Sequence, residues 1–290
     1  MILNNSIRSK LEELKGSVVI DAIPLSGGCI SNAFKITFAD KDINLLKINV
    51  PDMGDMFIKE GHGLQELKKA RAIRVPEVIC CDTEFILLEF LNSAPKKKNF
   101  FEEFGRKFAL LHKYTSNEFG FYENNYIGST PQINLPDNSN RLNWASFYFN
   151  KRLLFQFRLL EKNGYADTAI KEAFRKLEGK IDSVLSETNV SPSLLHGDLW
   201  SGNYMSDENG IACLIDPAVY YGHREADLAM TKLFGGFPQT FYDSYNEAFP
   251  LRDGWQYREN IYKLYHIMNH LNLFGGGYYS QTLSLMKSYS

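Results

Sequence analysis

Between Ser17 and Leu91 the apolar residues come in short runs: VVIDAIPL, AFKITFAD, INLLKINV, VPEVICCD and EFILLEFL. Each run is rich in β-branched or aromatic residues and bounded by Gly, Asp, Asn or Pro, which predicts five strands. The stretch between the third and fourth runs, DMFIKEGHGLQELKKARAI, keeps a different period, with Met56, Phe57, Leu64, Leu67 and Ile73 recurring near helical spacing. One helix therefore interrupts the strands. After Leu91 a short polar stretch, NSAPKKKN, gives way to helical patterns: FFEEFGRKFALLHKY, WASFYFNKRLLFQFRLLEKNG, about Ala169 to Leu185, READLAMTKLF, FYDSYNEAF and IYKLYHIMNHLNLF. The order predicts an α+β chain with a strand-rich lobe over residues 1–91 and a mainly helical lobe over 92–290.

Two stretches break this scheme. GFYENNYIGSTPQINLPDNSN is too rich in Gly, Pro and Asn for an element interior, and its length suggests a functional surface. Farther on, the short apolar runs NYM and IACLID flank DENG, whose Asn-Gly pair signals a two-residue hairpin turn with Asn203 and Asp216 at the hairpin's ends.

Composition narrows the class. At 290 residues the chain exceeds the usual size of one core, and 44% hydrophobic with 23% charged residues suits a compact globular protein, not a disordered or coiled-coil one. A formal net charge of -2 provides no basic field to concentrate nucleic acid or anionic membrane, so neither is an expected partner. MILNNSIRSKLEELKG lacks the apolar core of a secretory leader, and no run reaches about 18 apolar residues. A cytoplasmic protein, monomeric or a weak homodimer, is expected. The four cysteines form no CxxC pair, which fits reduced thiols; Cys80 and Cys81, adjacent on a strand, must face opposite ways as packing residues.

The chemistry concentrates in LLHGDLWSGNYMSDENGIACLIDP. His196, Asp198, Asn203 and Asp216 lie beside apolar runs, where a polar group without a partner is costly. Asn203 and Asp216 supply oxygen ligands of the kind Mg²⁺ accepts, which leaves Asp198 to orient a hydroxyl and take its proton. Singly, each has an ordinary explanation: HGD as a turn, Asn203 as a cap, Asp216 as a helix-start acid before Pro217. Capping does not require the whole set. Upstream, PLSGGCISNAF places Gly27 and Gly28 between two strands, as a loop over phosphates or as a plain hairpin, with neither a GxxxxGK[ST] nor a GxGxxG pattern. Lys47 in LLKIN stands among apolar residues, either on a solvent face or met by an anion, with Glu60 on the following helix as the natural partner. The aromatic residues Trp200, Tyr220, Tyr221 and Trp255, with FGGGYY, are candidates for a cleft wall or for core packing. His196 reads as a brace of the catalytic turn, and Asp227 as a brace or helix-start acid.

The order of glycine loop, strand lysine, helix glutamate, HGD, Asn and Asp is that of kinase chemistry. SLLHGDLWSGN, DPAVYYGHREADLAMTKLFGGFP, YNEAFPL and LYHIMNHLNLFGGGY resemble the fructosamine kinase family, and the likeness extends through PLSGGCISNAF, LLKIN, MFIKEGHGL, IRVPEVI, LLEFL and IGSTPQ. The resemblance implies a protein-kinase-like two-lobe fold with a five-stranded antiparallel sheet in the first lobe. It implies Asp198 as catalytic base, Asn203 and Asp216 as Mg²⁺ ligands, Lys47 as the phosphate-pairing lysine and Glu60 as its partner. Glu89, Phe90 and Leu91 match the hinge where adenine docks. The implied reaction moves the γ-phosphoryl of ATP to the C3 hydroxyl of a ketosamine, free or protein-bound, leading to deglycation. His223 stands where the family usually has an acid, and Ile58-Lys59 where small or acidic residues are usual. Cys29, in the glycine loop, is either an inert thiol or a redox-sensitive one. Rival readings are another small-molecule kinase of this fold, acting on an aminoglycoside, choline or homoserine, and a non-catalytic nucleotide-binding regulator.

Overall fold

The computed structural model describes residues 3–25, 32–48, 54–185 and 190–289. Gly27, Gly28 and Cys29 lie outside the described residues. The chain opens with a helix the strand pattern does not announce, α1 (Asn5–Lys15). Asn4 caps it, its Oδ1 accepting the Ser6 N–H at 2.9 Å, and Gly16 ends it at φ 61°. Only Ile7 and Leu11, one turn apart, are buried on this helix.

The five predicted strands form: β1 (Val19–Leu25), β2 (Asn32–Phe38), β3 (Ile43–Ile48), β4 (Val78–Cys81) and β5 (Phe85–Glu89). They make one sheet in the order β1-β2-β3-β5-β4, antiparallel throughout. Alternation divides its side chains between two cores. Phe34, Ile36, Phe38, Leu46, Phe85 and Leu87 pack under α1 with Leu3, Ile7 and Leu11. Ile86 and Leu88, on the other face, meet Phe57, Leu64 and Leu67 of α2 (Met56–Lys69) and join the core of the helical part without a break. Cys80 packs with the first core and Cys81 with the second, on opposite faces as their adjacency requires.

The rest is mostly helical: α3 (Phe100–His112), α4 (Trp144–Tyr148), α5 (Leu154–Lys162), α6 (Thr168–Glu178), α7 (Ile181–Leu185), α8 (Glu225–Thr231), α9 (Gln239–Ala248), α10 (Trp255–Phe274) and α11 (Tyr279–Lys287). The long pattern after Trp144 is broken by a π-helical turn, Phe149–Leu153, between α4 and α5. Three two-stranded ribbons are set among the helices: β6 (Asn125–Ile127) with β7 (Thr130–Gln132), β8 (Ser193–Leu195) with β11 (Tyr220–Gly222), and β9 (Tyr204–Ser206) with β10 (Ala212–Leu214). Among the described residues no helix is long and apolar enough to cross a membrane.

The β9–β10 turn differs from the two-residue expectation. Asp207 N–H donates to Ile211 O at 2.8 Å and Gly210 N–H to Asp207 O at 2.9 Å, with Gly210 at φ 71°. This is a three-residue loop closed by a left-handed glycine, because Asp207 Oδ1 also accepts the N–H groups of Asn209 and Ile211 and tightens the turn. The linker after β5 is tied to this tip: Ala94 N–H donates to Asp207 O and Lys97 N–H to Gly210 O, each at 3.2 Å. Arg74, before β4, ion-pairs with Asp207 at 2.8 Å, with Glu208 at 2.6 Å and with Glu89.

Candidate active site

Lys47 shares a face of β3 with Leu45, opposite Leu46, and so points toward α2. Helix α2 approaches closely because Gly61 carries no side chain; a Cβ there sits 2.8 Å from Cys81 Sγ. That approach brings Glu60 Oε1 to 2.6 Å from Lys47 Nζ. The same ammonium also binds Asp216 Oδ1, from the far side of the cleft. Burial alone lowers a lysine's pKa, but the negative charges of Asp216 and Glu60 outweigh it here and hold the Lys47 ammonium firmly protonated. Burial pushes the Glu60 carboxyl up, against the pull of Lys47.

The turn after β8 carries the second group. Gly197 has φ 82°, and a Cβ on it falls 1.9 Å from Ala218 O, so only glycine fits. Asp227, 1% exposed, accepts both backbone N–H groups of the turn, from His196 to Oδ2 at 2.7 Å and from Gly197 to Oδ1 at 2.8 Å. His112 extends the brace: its Nε2 lies 3.2 Å from Asp227 Oδ2 and its Nδ1 2.8 Å from the Tyr245 hydroxyl. His196 donates from Nε2 to Ile215 O at 3.0 Å, while its Nδ1 accepts the Asp198 N–H at 3.3 Å. The brace expected of His196 and Asp227 is therefore present. Asn203 Nδ2 donates to Asp198 O at 2.8 Å and to Asp198 Oδ2 at 3.1 Å. Burial, and after it the charge of Asp216, holds the Asp198 carboxyl well above the usual carboxylate range, with Asn203 opposing.

Asp216 follows β10 with φ 54°, a left-handed backbone that few non-glycine residues adopt. It faces Lys47, and Asn203 holds the other end of the hairpin through Ile215 N–H to Asn203 O at 3.1 Å. Lys47, Glu60, Asp198, Asn203 and Asp216 all line one cavity of about 570 Å³. Trp200, Phe234, His270, Phe274 and Tyr278 form its aromatic wall.

Of the other sequence candidates, Trp200 and the Phe274 and Tyr278 of FGGGYY stand on the cavity and the rest lie elsewhere. Glu89 closes β5 with its carboxylate on Arg74, Phe90 lies under Lys35 Nζ at 4.8 Å, and Leu91 is buried; none of the three lines the cavity. Tyr220 packs in the core against Arg152, Tyr221 donates its O–H to Glu66 at 2.7 Å, and Trp255 lies under Lys232 at 4.1 Å, so of the four named aromatics only Trp200 walls the cleft. His223 is buried and stacked on Tyr262 with ring centroids 6.0 Å apart. His112, Asn125, Phe234 and His270 were missed; His112 had a signal, a polar residue closing the apolar stripe of FALLHKY.

Lys47 and Glu60 on one side of the cavity thus face Asp216, Asp198 and Asn203 on the other. The sequence signature of the fructosamine kinase family matches residues 3–290. A chloroplastic protein-ribulosamine 3-kinase of Arabidopsis thaliana is 37% identical over 286 residues, covering 96% of this chain and 85% of the relative. A crystal structure of a candidate fructosamine-3-kinase from Thermobifida fusca superposes with TM-score 0.89 at 29% identity over 99% of each chain. An ADP-bound aminoglycoside phosphotransferase shares the fold alone, with TM-score 0.67 and 14% identity over 99% of each chain. The chain belongs to the fructosamine kinase family.

Proposed function

We propose that the protein transfers the γ-phosphoryl group of ATP to the 3-hydroxyl of a ketosamine, a fructosamine or ribulosamine, and so starts its deglycation. The observation that carries this reading is the meeting of Lys47, Glu60 and Asp216 with Asp198 and Asn203 on one cavity, in a chain of this family. Asp198 orients the acceptor hydroxyl and accepts its proton, and its raised proton affinity suits a general base. Lys47, held by Glu60, presents its ammonium to phosphate oxygens.

The residues fit Mg²⁺. Two carboxylates, Glu60 and Asp216, hold one ammonium, and Asp198 stands close enough to Asp216 for each to raise the cost of the other's charge, which a divalent cation offsets. Among the described residues no group of three or more His, Cys, Asp or Glu side chains forms a ready-made cage. An Asp-plus-Asn pair completed by phosphate oxygens and water is the pattern Mg²⁺ favours. Asp216 and Asn203 are the residues to hold it, and its charge, when bound, offsets that of the phosphates. The test is mass spectrometry after incubation with ATP, Mg²⁺ and a panel of fructosamines, ribulosamines, an aminoglycoside, choline and homoserine. Gain of one phosphate on a ketosamine is the expected result; transfer only to another acceptor, or to none, overturns the reading.

A further inference from the structure

The segment singled out for its Gly, Pro and Asn content takes no part in the chemistry proposed above, yet it buries four amide side chains, three of which form one network. Asn125, Gln132 and Asn134 are each at most 4% exposed. Asn125 Oδ1 accepts from Gln132 Nε2 at 2.9 Å and from Asn134 Nδ2 at 2.7 Å. The outward bonds of this network converge on one short stretch of backbone: Asn125 Nδ2 donates to Val219 O at 2.7 Å and Gln132 Nε2 to Ala218 O at 3.0 Å. Gln132 Oε1 accepts the Tyr265 O–H at 2.8 Å.

The network is rooted in Arg152, which is fully buried in the π-helical turn. Its guanidinium donates to Asn134 Oδ1 and Ile133 O, both at 2.6 Å, and lies 4.1 Å from the Tyr220 ring centroid. Among the described residues no carboxylate pairs with it, so its charge is spent on orienting neutral oxygens. An amide whose oxygen faces that guanidinium cannot flip without stranding a buried charge.

Ala218 and Val219 follow directly on Asp216 and Pro217, the point where the backbone enters its left-handed conformation. Such a conformation persists in a non-glycine residue only where its surroundings over-determine it. Here Ala218 N–H donates to His196 O at 2.8 Å, Gly197 closes against Ala218 O, and the amide network holds the same peptides from the β6–β7 side. We propose that Gln132, Asn125, Asn134 and Arg152 are positioning residues for the Asp216 carboxylate: they clamp the 218–219 peptides and so fix the left-handed turn that aims Asp216 into the cleft. This rests on the reading of Asp216 as a metal ligand.

Gln132 does not line the cavity, so any effect of changing it on metal-dependent binding has to travel through its partners, the Ala218 peptide and the Asn125 side chain. Gln132→Glu keeps the size and the acceptor for Tyr265 but has no N–H to give; Gln132→Met is the apolar counterpart. Titration calorimetry of ADP, in Mg²⁺ and in EDTA, is compared with wild type, and a circular-dichroism melt establishes folding. The gain in ADP affinity on adding Mg²⁺ is expected to fall about tenfold, the scale on which supporting residues act on a metal site. ADP affinity in EDTA and the acceptor KM are expected to stay within about twofold. An undiminished Mg²⁺ gain in either folded variant, or an equal loss in EDTA, overturns the proposal. Asp216→Asn in the same assay separates the two ideas. If it also keeps the Mg²⁺ gain, the metal-ligand reading falls; if it alone loses the gain, only the clamp falls.

Discussion

Two aspartates of the site differ in what surrounds them, and their substitutions are expected to fail differently. Asp198 is half-buried, its carboxyl held by Asn203 and its backbone by His196. Asp198→Ala is expected to lower kcat by about 10²–10⁴-fold, the range of general-base removal, with Mg²⁺-ADP affinity kept. Asp216→Ala is expected to weaken Mg²⁺-ADP binding as well, because it removes a partner of Lys47 and the proposed ligand oxygen together. Steady-state kinetics beside calorimetry tell the two apart; matching losses of nucleotide affinity would contradict the division of roles. The five convergent residues were legible in the sequence because charged and amide groups beside apolar runs are rare enough to notice. Gln132, Asn134 and Arg152 were not, since a buried amide in a loop-like stretch carries no period, and its partners lie as far as 133 positions away.

At the scale of elements, the close packing of α2 on β4 decides where Glu60 stands. Alanine ordinarily favours a helix over glycine by about 1 kcal/mol. At position 61 the added Cβ meets Cys81 Sγ at 2.8 Å and Cys81 Cβ at 3.3 Å. Overpacking of this kind costs about 1–3 kcal/mol, so Gly61→Ala is expected to destabilise the protein and weaken the Lys47–Glu60 pair. Urea titration of Gly61→Ala, Cys81→Ala and the double variant checks it: removal of Sγ should recover most of the loss, and simple additivity would place the strain elsewhere. Strands and long helices were readable because short bounded apolar runs mark β1 to β5 and helical period survives in α3 and α10. Helix α1 was not, because two buried positions in a charged run give little period. The hairpin turn was placed at the right residues but given the wrong length, since Asn-Gly serves both loop types and the deciding bonds come from Asp207.

Across the whole molecule, four of the six histidines, His112, His196, His266 and His270, are held below their ordinary pKa, in each case first by burial. His266 is the extreme, lowered to about 3 at 4% exposure, with Nδ1 left without a partner. An unfolded histidine binds its proton near pH 6.5, so below that pH the unfolded chain holds more protons than the native one and stability falls with acidification. At pH 5 His266 alone contributes a loss of ~2 kcal/mol relative to neutral pH. In denaturant melts between pH 7 and pH 5 this loss works against the opposite contribution of the raised Asp198 and Glu60 carboxyls, and His266→Leu should remove about that amount of acid-induced loss relative to wild type; an unchanged slope assigns the effect to other groups. Lys47, finally, reaches Glu60 from the sheet and Asp216 from the helical body, so a single side chain clasps the two halves of the protein. If a phosphate oxygen takes that ammonium, as proposed, the clasp loosens and Asp216 is left short of a counter-charge unless a cation travels with it. On the proposed function, nucleotide and ion would therefore enter as one body.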